Sequence, residues 1–284
     1  MVSGTLSCDG DVGRVDGPVG PWYNPPVMGT SGSAMDVPRM EVIGITGIPE
    51  VRAGDRLGPM IVEAAAGQGT AIEAGDVVVV TQKIVSKAEG RLVSLQDVEP
   101  SAFAVQLSAE SERNPRVVEL VLRESRSIVR VDPARGVLIV ETKHGFICAN
   151  AGIDSSNVPG DEVVSLLPED SDRSAREIRD ELAVEVGVIV SDTFGRPWRE
   201  GHVDFAIGVA GLDPFHDYRG SLDAQGKVLH VTRIALADEL SAAAEVVMGK
   251  ALGIPVAIVR GVEYRPSEGG SSTLLRDRSE DLFR

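Results

Sequence analysis

The residues best suited to chemistry follow a short apolar run in the second half of the chain. Residues 188–190 are typical of a buried strand, and Asp192 and Thr193 come directly after it, with Arg196 and Arg199 close behind. A carboxylate beside a hydroxyl at a strand end, followed by arginines, suits a metal-bound phosphate. Small polar residues are also common where strands turn, so the alternative is that Asp192 caps a loop and the arginines are solvated.

A second polar cluster follows another apolar segment. Residues 146–149 predict a strand, and Asp154 and Asn157 lie in the polar stretch behind it. Two carboxylates from separate strand ends, Asp154 and Asp192, are a common way to hold divalent ions against phosphates. The alternative for Asp154 is a local turn in which its side chain bonds to its own backbone.

The positive charges available to an anionic ligand are few and local. The formal net charge of −15 argues against a nucleic-acid partner, which usually requires a basic face. Lys83, Lys87 and Arg91 recur at helical spacing, and Lys87 follows a strand that leads directly into a helix. For each such cluster a solvated surface is the alternative.

Several classes of protein are excluded or disfavoured. The longest apolar runs are far below the roughly 20 residues of a membrane helix, so we expect no membrane association. The 2 cysteines, Cys8 and Cys148, make neither a disulfide framework nor a zinc site, which predicts a cytoplasmic location. The chain contains no Walker lysine loop, no dinucleotide glycine fingerprint and no convincing Ser-His-Asp arrangement.

The remaining pattern predicts an α+β fold with mixed β-sheets and flanking helices. Residues 1–38 are rich in Gly, Ser, Pro and Asp without apolar periodicity, which predicts a disordered leader before a domain at residues 39–284. The predicted strands are 42–45, 76–82, around 129, 137–141, 146–149, 188–190, 205–209, 228–231 and 254–261. The predicted helices are 55–66, 83–89, 101–112, 115–124, 171–186 and 235–251, and the tail after the last strand is expected to be loosely ordered.

An ordered set of motifs resembles the coenzyme F420-0:L-glutamate ligase family from about Glu41 to Phe283. Each motif alone is weak, and the set is specific because its members come in the same order. The motifs are Ile48-Pro49-Glu50, residues 81–90 (TQKIVSKAEG), 150–157 (NAGIDSSN), 191–196 (SDTFGR) and 253–261 (GIPVAIVRG).

The resemblance implies GTP-dependent addition of L-glutamate to the phospholactyl carboxylate of coenzyme F420-0, through an acyl phosphate. It also implies two Mg²⁺ or Mn²⁺ ions, a supporting monovalent cation such as K⁺, and a two-lobed fold in an intertwined homodimer. The residues carried over as metal ligands are Asp154, Asp192 and Thr193, with Asp154, Asp192 and Lys87 in catalytic roles. The residues carried over as nucleotide contacts are Ile48, Pro49, Glu50, Val51, Gln82, Lys87, Asn157, Met248 and Gly249.

Two departures qualify the resemblance. Members of the family often carry an acidic residue after the Met-Gly of the late helix, where this chain has Lys250. A protonated lysine cannot ligate magnesium, so either the second ion has fewer protein ligands or Lys250 reaches a phosphate. Some relatives continue into a flavin-binding domain, and because this chain ends at Arg284 we expect no FMN chemistry. The competing hypotheses are a metal-dependent phosphohydrolase or kinase and a non-catalytic nucleotide-binding protein.

Overall fold

The computed structural model describes residues 37–109 and 113–282. The predicted leader, apart from residues 37 and 38, lies outside the described residues, as does the end of the predicted helix 101–112. The described residues form two units, one comprising residues 37–217 and 233–282 and the other the short segment 218–232.

The larger unit combines twelve strands and six α-helices among its described residues, which confirms the α+β class. The strands are β1 (Glu41–Ile45), β2 (Val77–Thr81), β3 (Leu92–Ser94), β4 (Ser125–Asp132), β5 (Val137–Thr142), β6 (Ile147–Ala149), β7 (Val163–Ser165), β8 (Gly187–Arg196), β9 (Arg199–Ala210), β10 (His216–Asp217), β11 (Arg233–Ile234) and β12 (Val256–Arg260). The helices are α1 (Leu57–Gly67), α2 (Gln82–Ala88), α3 (Ala102–Ala109), α4 (Pro115–Arg123), α5 (Ser171–Leu182) and α6 (Leu236–Met248).

The largest sheet has the order β1-β12-β2-β8-β9, with β2 and β8 parallel and the other neighbours antiparallel. Its central strand β2 is buried on both faces, which is typical of an unbroken apolar run. Val78 and Val80 pack in a core with residues of α1 and α5. Val77 and Val79 pack on the opposite face with residues of α6. Because alternate side chains point to opposite faces, one short strand joins both cores.

A smaller antiparallel sheet, β4-β5-β6, carries the segment that precedes Asp154. Leu138 and Val140 of β5 form a core with Ala104 of α3 and with Val118 and Val121 of α4. The amphipathic helix α4 thereby covers one face of this sheet. A short pair, β3 and β7, lies alongside as a third sheet that the sequence analysis did not predict.

The loop predicted after residues 188–190 is wrong, because β8 continues to Arg196 and forms a long hairpin with β9. The turn between the two strands contains only Pro197 and Trp198. Polar residues such as Asp192 interrupt the apolar pattern and so suggested a strand end. They are accommodated within the strand because the register with β9 shifts between Val190 and Ser191, and pairing then continues with Asp192 opposite Phe205 and Thr193 opposite Asp204.

Two further predictions are wrong near the end of the chain. Residues 228–231 form no strand, and within the segment 218–232 an isolated bridge joins Leu222 to Val228. The Asp223 carboxylate accepts hydrogen bonds from the backbone of Gln225 and Lys227, which favours a turn over an extended pair. The tail is also better ordered than predicted as far as Ser271, which is buried and donates a hydrogen bond to the carbonyl of Ile207 in β9.

Helix α5 is capped by the residue that precedes it. Asp170, rather than Ser171 or Asp172, accepts the hydrogen bond from the backbone N–H of Arg173. Asp172 instead accepts hydrogen bonds of 2.8 Å from the N–H groups of Val209 and Ser271. Its carboxylate therefore ties the helix to β9 and to the tail.

Candidate active site

The site is built where β2 and β8 run side by side. Thr81, the last residue of β2, pairs with Ser191 in the parallel register, and α2 begins at the next residue, Gln82. Asp192 and Thr193 follow Ser191 along β8. The carboxyl end of β2 and the polar part of β8 therefore lie at the same edge of the sheet, which is where ligand crevices commonly open.

A cavity of about 900 Å³ opens at this edge. Residues from five well-separated parts of the chain line it, and they include every residue that the resemblance carried over. These residues are Ile48, Pro49, Glu50, Val51, Gln82, Lys87, Asp154, Asn157, Asp192, Thr193, Met248 and Gly249. The cavity is within the range of volumes typical of small-molecule sites. The roles of the individual residues in binding or catalysis stay predictions.

Asp154 is held by a lysine of α2. Lys83 Nζ lies 2.8 Å from Asp154 Oδ2 and also donates to Ser165 Oγ at 2.9 Å. The backbone N–H of Ser156 donates to Asp154 Oδ1, so the local turn considered as the alternative is present. Burial alone would raise the pKa of Asp154, but the hydrogen bonds from Lys83 and Ser156 outweigh it and lower the pKa. Asp154 is therefore an ionised carboxylate that faces the cavity and makes a turn at the same time.

Asp192 has a different environment although it lines the same cavity. Among the described residues none forms an ion pair with it. Burial raises the pKa of Asp192 to about 7, and the nearby carboxylate of Asp204 acts in the same direction. The N–H of Thr193 and the ammonium groups of Lys250 and Lys83 oppose the increase without cancelling it. A cation bound here would remove an unfavourable concentration of negative charge.

Asp204 is a site residue that the sequence analysis missed. It lies on β9 directly opposite Thr193, is almost fully buried, and accepts hydrogen bonds from Thr193 Oγ1 at 2.6 Å and Ser191 Oγ at 3.0 Å. Thr193 in turn accepts a hydrogen bond from Lys250 Nζ at 2.6 Å. The available signal was a carboxylate directly before the apolar run that begins at Phe205. It was overlooked because the predicted strand began one residue later.

Lys87 forms a second cationic position in the cavity. Its side chain is 8% exposed, and its ammonium lies 2.5 Å from Glu50 Oε1 on the loop after β1. The solvated surface considered for Lys83 and Lys87 is therefore wrong, since both side chains are largely buried. Arg91, the third residue of that pattern, instead pairs with Glu124. The two lysines are four positions apart in the sequence, so one face of α2 supplies both charges.

Two of the expected nucleotide contacts have structural partners of their own. The amide nitrogen of Gln82 donates to Ser86 Oγ and to the carbonyl of Leu166, and the side chain is buried. Met248 is 2% exposed and belongs to the core beneath α6. Gly249, which ends α6 with a φ of +52°, brings the backbone itself to the cavity wall. The contribution of these three residues to the cavity is therefore mainly the shape of its wall.

The oxygen donors in the cavity suit a hard divalent cation. Carboxylates and hydroxyls are the ligands that Mg²⁺ and Mn²⁺ prefer, and Asp154, Asp192 and Thr193 supply them from two separate segments. Within the described residues there is no cluster of three or more His, Cys, Asp and Glu side chains that would form a ready-made metal site. A bound ion would therefore need oxygen ligands from water or from a phosphate, which is usual for Mg²⁺.

The arginines of the β8–β9 hairpin lie apart from this cavity. Arg196 donates to the carbonyl of Glu200 at 2.7 Å, and neither Arg196 nor Arg199 is among the lining residues. Their predicted role beside a phosphate at Asp192 therefore has no support in the geometry.

Of the helices in the described part of the chain, none has the length and apolar character needed to cross a membrane.

Comparison with known proteins gives one consistent result. Residues 46–261 match the model of the family described as F420-0:Gamma-glutamyl ligase. A protein of Methanothermobacter thermautotrophicus named coenzyme F420:L-glutamate ligase is 44% identical over 252 residues, covering 86% of this chain and 99% of the relative. Proteins of the same name from Methanopyrus kandleri and Methanocaldococcus jannaschii are 47% and 39% identical, covering 83% and 87% of this chain and 94% and 97% of the relatives.

Proposed function

Because the chain belongs to the F420-0:gamma-glutamyl ligase family, we propose that it is a ligase that joins L-glutamate to the phospholactyl carboxylate of coenzyme F420-0. We further propose that GTP drives the reaction and that an acyl phosphate is the intermediate. The observation that carries this proposal is the convergence of Asp154, Asp192, Lys83 and Lys87 on one cavity large enough for a nucleotide. Peptide-bond formation from a free carboxylate needs such activation, because carboxylate oxygen is a poor leaving group.

The residues of the cavity support phosphoryl transfer mainly by binding and orientation. Phosphoryl transfer requires neutralisation of oxygen charge and an in-line approach of the attacking group, and little covalent chemistry from the protein. Lys83 and Lys87 are placed on one side of the α2 segment to hold phosphate oxygens by charge-assisted hydrogen bonds. Divalent cations held by Asp154, Asp192 and Thr193 would supply the remaining positive charge.

Held in this way, the terminal phosphoryl group is presented to the substrate carboxylate. A carboxylate oxygen forms a bond to the γ-phosphorus while the bond from that phosphorus to GDP breaks, and GDP leaves with the electron pair. The amine of glutamate then attacks the acyl carbon, inorganic phosphate departs and the nitrogen loses a proton. The apolar wall formed by Ile48, Val51 and Ile84 limits the access of water, which would hydrolyse the intermediate.

A product assay tests the proposal directly. The protein is incubated with F420-0, L-glutamate, GTP, Mn²⁺ and K⁺, and chromatography with mass spectrometry records GDP and any gain of one glutamyl residue. We expect both products in equal amounts, and neither from Asp192→Asn, while the exposed-site control Lys143→Gln keeps full activity. GDP without glutamylation would instead support a phosphohydrolase or kinase, and nucleotide binding without any product would support a non-catalytic protein.

The same resemblance leads us to propose an oligomeric state, a location and a set of cations for the protein. We propose that it works as a homodimer in the cytoplasm, with Mg²⁺ or Mn²⁺ and K⁺ as its cations. Light scattering coupled to size-exclusion chromatography measures the dimer, and a monomer at assay concentrations would contradict that part. Omission of each cation in turn from the assay, together with exchange of GTP for ATP, tests the cation requirement and the preference for guanine.

A further inference from the structure

Lys250 is a cation at the acidic end of the cavity. It follows Gly249, whose left-handed backbone ends α6 and turns the chain towards the cavity wall. The amide of Asn157 lies 3.5 Å from the Lys250 carbonyl, so the two cavity-lining segments approach each other here. The side chain extends to β8, where Nζ lies 2.6 Å from Thr193 Oγ1.

The neighbours of Thr193 determine which hydrogen bond its hydroxyl donates and which one it accepts. Asp204 is close to both Ser191 and Thr193 and accepts from both hydroxyls. The Thr193 hydroxyl therefore donates its hydrogen bond to Asp204, and its oxygen accepts a hydrogen bond from Lys250 Nζ. An ammonium group carries three N–H bonds. This leaves two of the N–H bonds of Lys250 without a protein acceptor among the described residues.

Lys250 and Asp192 line the same part of the cavity and yet do not form an ion pair with each other. One is an ammonium with spare donors, and the other is a carboxylate that pairs with no lysine or arginine among the described residues. Opposite charges that line one cavity and stay apart are suited to a ligand that itself carries both signs. A triphosphate with a divalent cation is such a ligand, because its cation suits the carboxylate and its phosphate oxygens suit the ammonium.

We propose that Lys250 binds the terminal phosphoryl group of the nucleoside triphosphate, with Thr193 and Asp204 holding the lysine in position. This inference rests on the proposed function, since it assigns a contact within the same reaction. Lys250 lies with Asp154, Asp192 and Thr193, the residues suited to the metal and hence to the reacting phosphate. Lys87 and Glu50 form a separate ion pair on other segments of the wall.

A purely structural role for Lys250 is the competing explanation. A lysine just beyond the carboxyl end of α6 stabilises the helix by its charge alone. Such a role affects the stability of the folded protein and does not distinguish a triphosphate from a diphosphate. A direct contact with the terminal phosphoryl group does distinguish them, because the diphosphate lacks that group.

Calorimetric titration of the full chain separates the two explanations. The ligands are the non-hydrolysable β,γ-imido analogue of GTP and GDP, each with saturating Mg²⁺. The proteins are the wild type, Lys250→Gln, the conservative Lys250→Arg, and Lys143→Gln as a matched lysine outside the cavity. Loss of a charged hydrogen bond weakens binding by about 10- to 100-fold.

We expect Lys250→Gln to bind the triphosphate analogue about 10- to 100-fold more weakly than the wild type and GDP only a few-fold more weakly. Lys250→Arg is expected to keep most of the affinity for the analogue, and Lys143→Gln is expected to bind both ligands as the wild type does. Equal weakening for both ligands, or unchanged affinity for the analogue, would overturn the inference while leaving the proposed function in place. Failure of the wild type to bind the analogue would overturn both. Thermal unfolding of each variant without nucleotide shows whether Lys250→Gln remains folded, and Lys250→Arg provides the test if it does not.

Discussion

Thr193 and Asp204 face each other across the β8–β9 hairpin, and Thr193 Oγ1 donates a hydrogen bond of 2.6 Å to Asp204 Oδ1. Asp204 lies almost wholly inside the protein, so it acts on the cavity through the hydroxyl that it orients. Because the hydroxyl proton points to Asp204, the lone pairs of Thr193 Oγ1 point away from Asp204. They are available to a cation, and in this structure Lys250 takes one of them.

Replacement of Asp204 by alanine should lower both stability and activity. Two hydroxyl groups, those of Ser191 and Thr193, would lose their acceptor in a buried environment. The free energy of unfolding is expected to fall by about 1–3 kcal/mol, as for other buried groups left unsatisfied. Urea unfolding measures this, with the exposed Asp161→Ala as the control. Equal stability of the two variants would contradict the role given to Asp204.

The raised pKa of Asp192 predicts a stability that falls as pH rises. Burial raises this pKa to about 7, from 3.8 for an ordinary aspartate. The folded protein therefore binds the proton more tightly than the unfolded chain, and the resulting stabilisation is complete below about pH 4 and is lost through pH 7. In chelator-treated protein, the free energy of unfolding should fall between pH 5 and 7.5 on the order of 2 kcal/mol more for the wild type than for Asp192→Asn.

The comparison with Asp192→Asn isolates this group from the other carboxylates. Added Mg²⁺ at pH 7.5 should stabilise the wild type more than the variant, because the ion replaces the proton on the carboxylate. Parallel pH profiles for the two proteins would show that Asp192 has an ordinary pKa.

Lys87→Met should weaken nucleotide binding more strongly than Glu50→Gln. The Lys87 ammonium is largely buried, whereas Glu50 is mostly exposed and can rotate away from it. Removal of the cation eliminates a phosphate ligand, and we expect a loss of about tenfold or more in affinity. Removal of the carboxylate frees Lys87 for the phosphate and is expected to change affinity little. Fluorescence titration with a labelled GTP analogue measures both, and an equal loss for the two variants would contradict this assignment.

Gly208→Ala should destabilise the protein by about 1–3 kcal/mol or more. A Cβ at this position would lie 2.2 Å from the backbone carbonyl oxygen of Ser171, so β9 and α5 would have to separate. Gly195 in the partner strand β8 is a matched control, because a Cβ there would meet no atom within 4 Å. Thermal unfolding of the two variants checks the prediction, which fails if both melt at the wild-type temperature.

The central part of the fold was predictable because its signals are local. The unbroken run of valines in β2 could only be buried on both faces, and helix α4 shows its proline start and its amphipathic face in the sequence. The length of β8 was not predictable in the same way. Whether a polar residue such as Asp192 ends a strand or continues it depends on the residue opposite, here Phe205, which lies beyond the turn.

The residues of the candidate site were named through their motifs and line one cavity, whereas the residues that support them were not predicted. Asp154 and Asp192 are separated by many residues, and sequence alone gave only the chemical expectation that they meet; both line the cavity. Asp204 and the contact between Lys250 and Thr193 depend on the pairing of β9 with β8 and on the end of α6. Those contacts arise from tertiary packing between distant segments, which produces no periodic pattern in the sequence.

Strand β2 passes into α2 without an intervening loop, and this junction constrains how the cavity can change over evolution. Insertion or deletion of a single residue between Thr81 and Lys87 would rotate the later lysine by about 100° around the helix axis and withdraw its charge from the cavity wall. The number of residues in this stretch is therefore constrained as long as Lys87 has to face the cavity. A change in cavity shape that keeps both lysines in place has to come from another lining segment, such as the loop that carries Glu50.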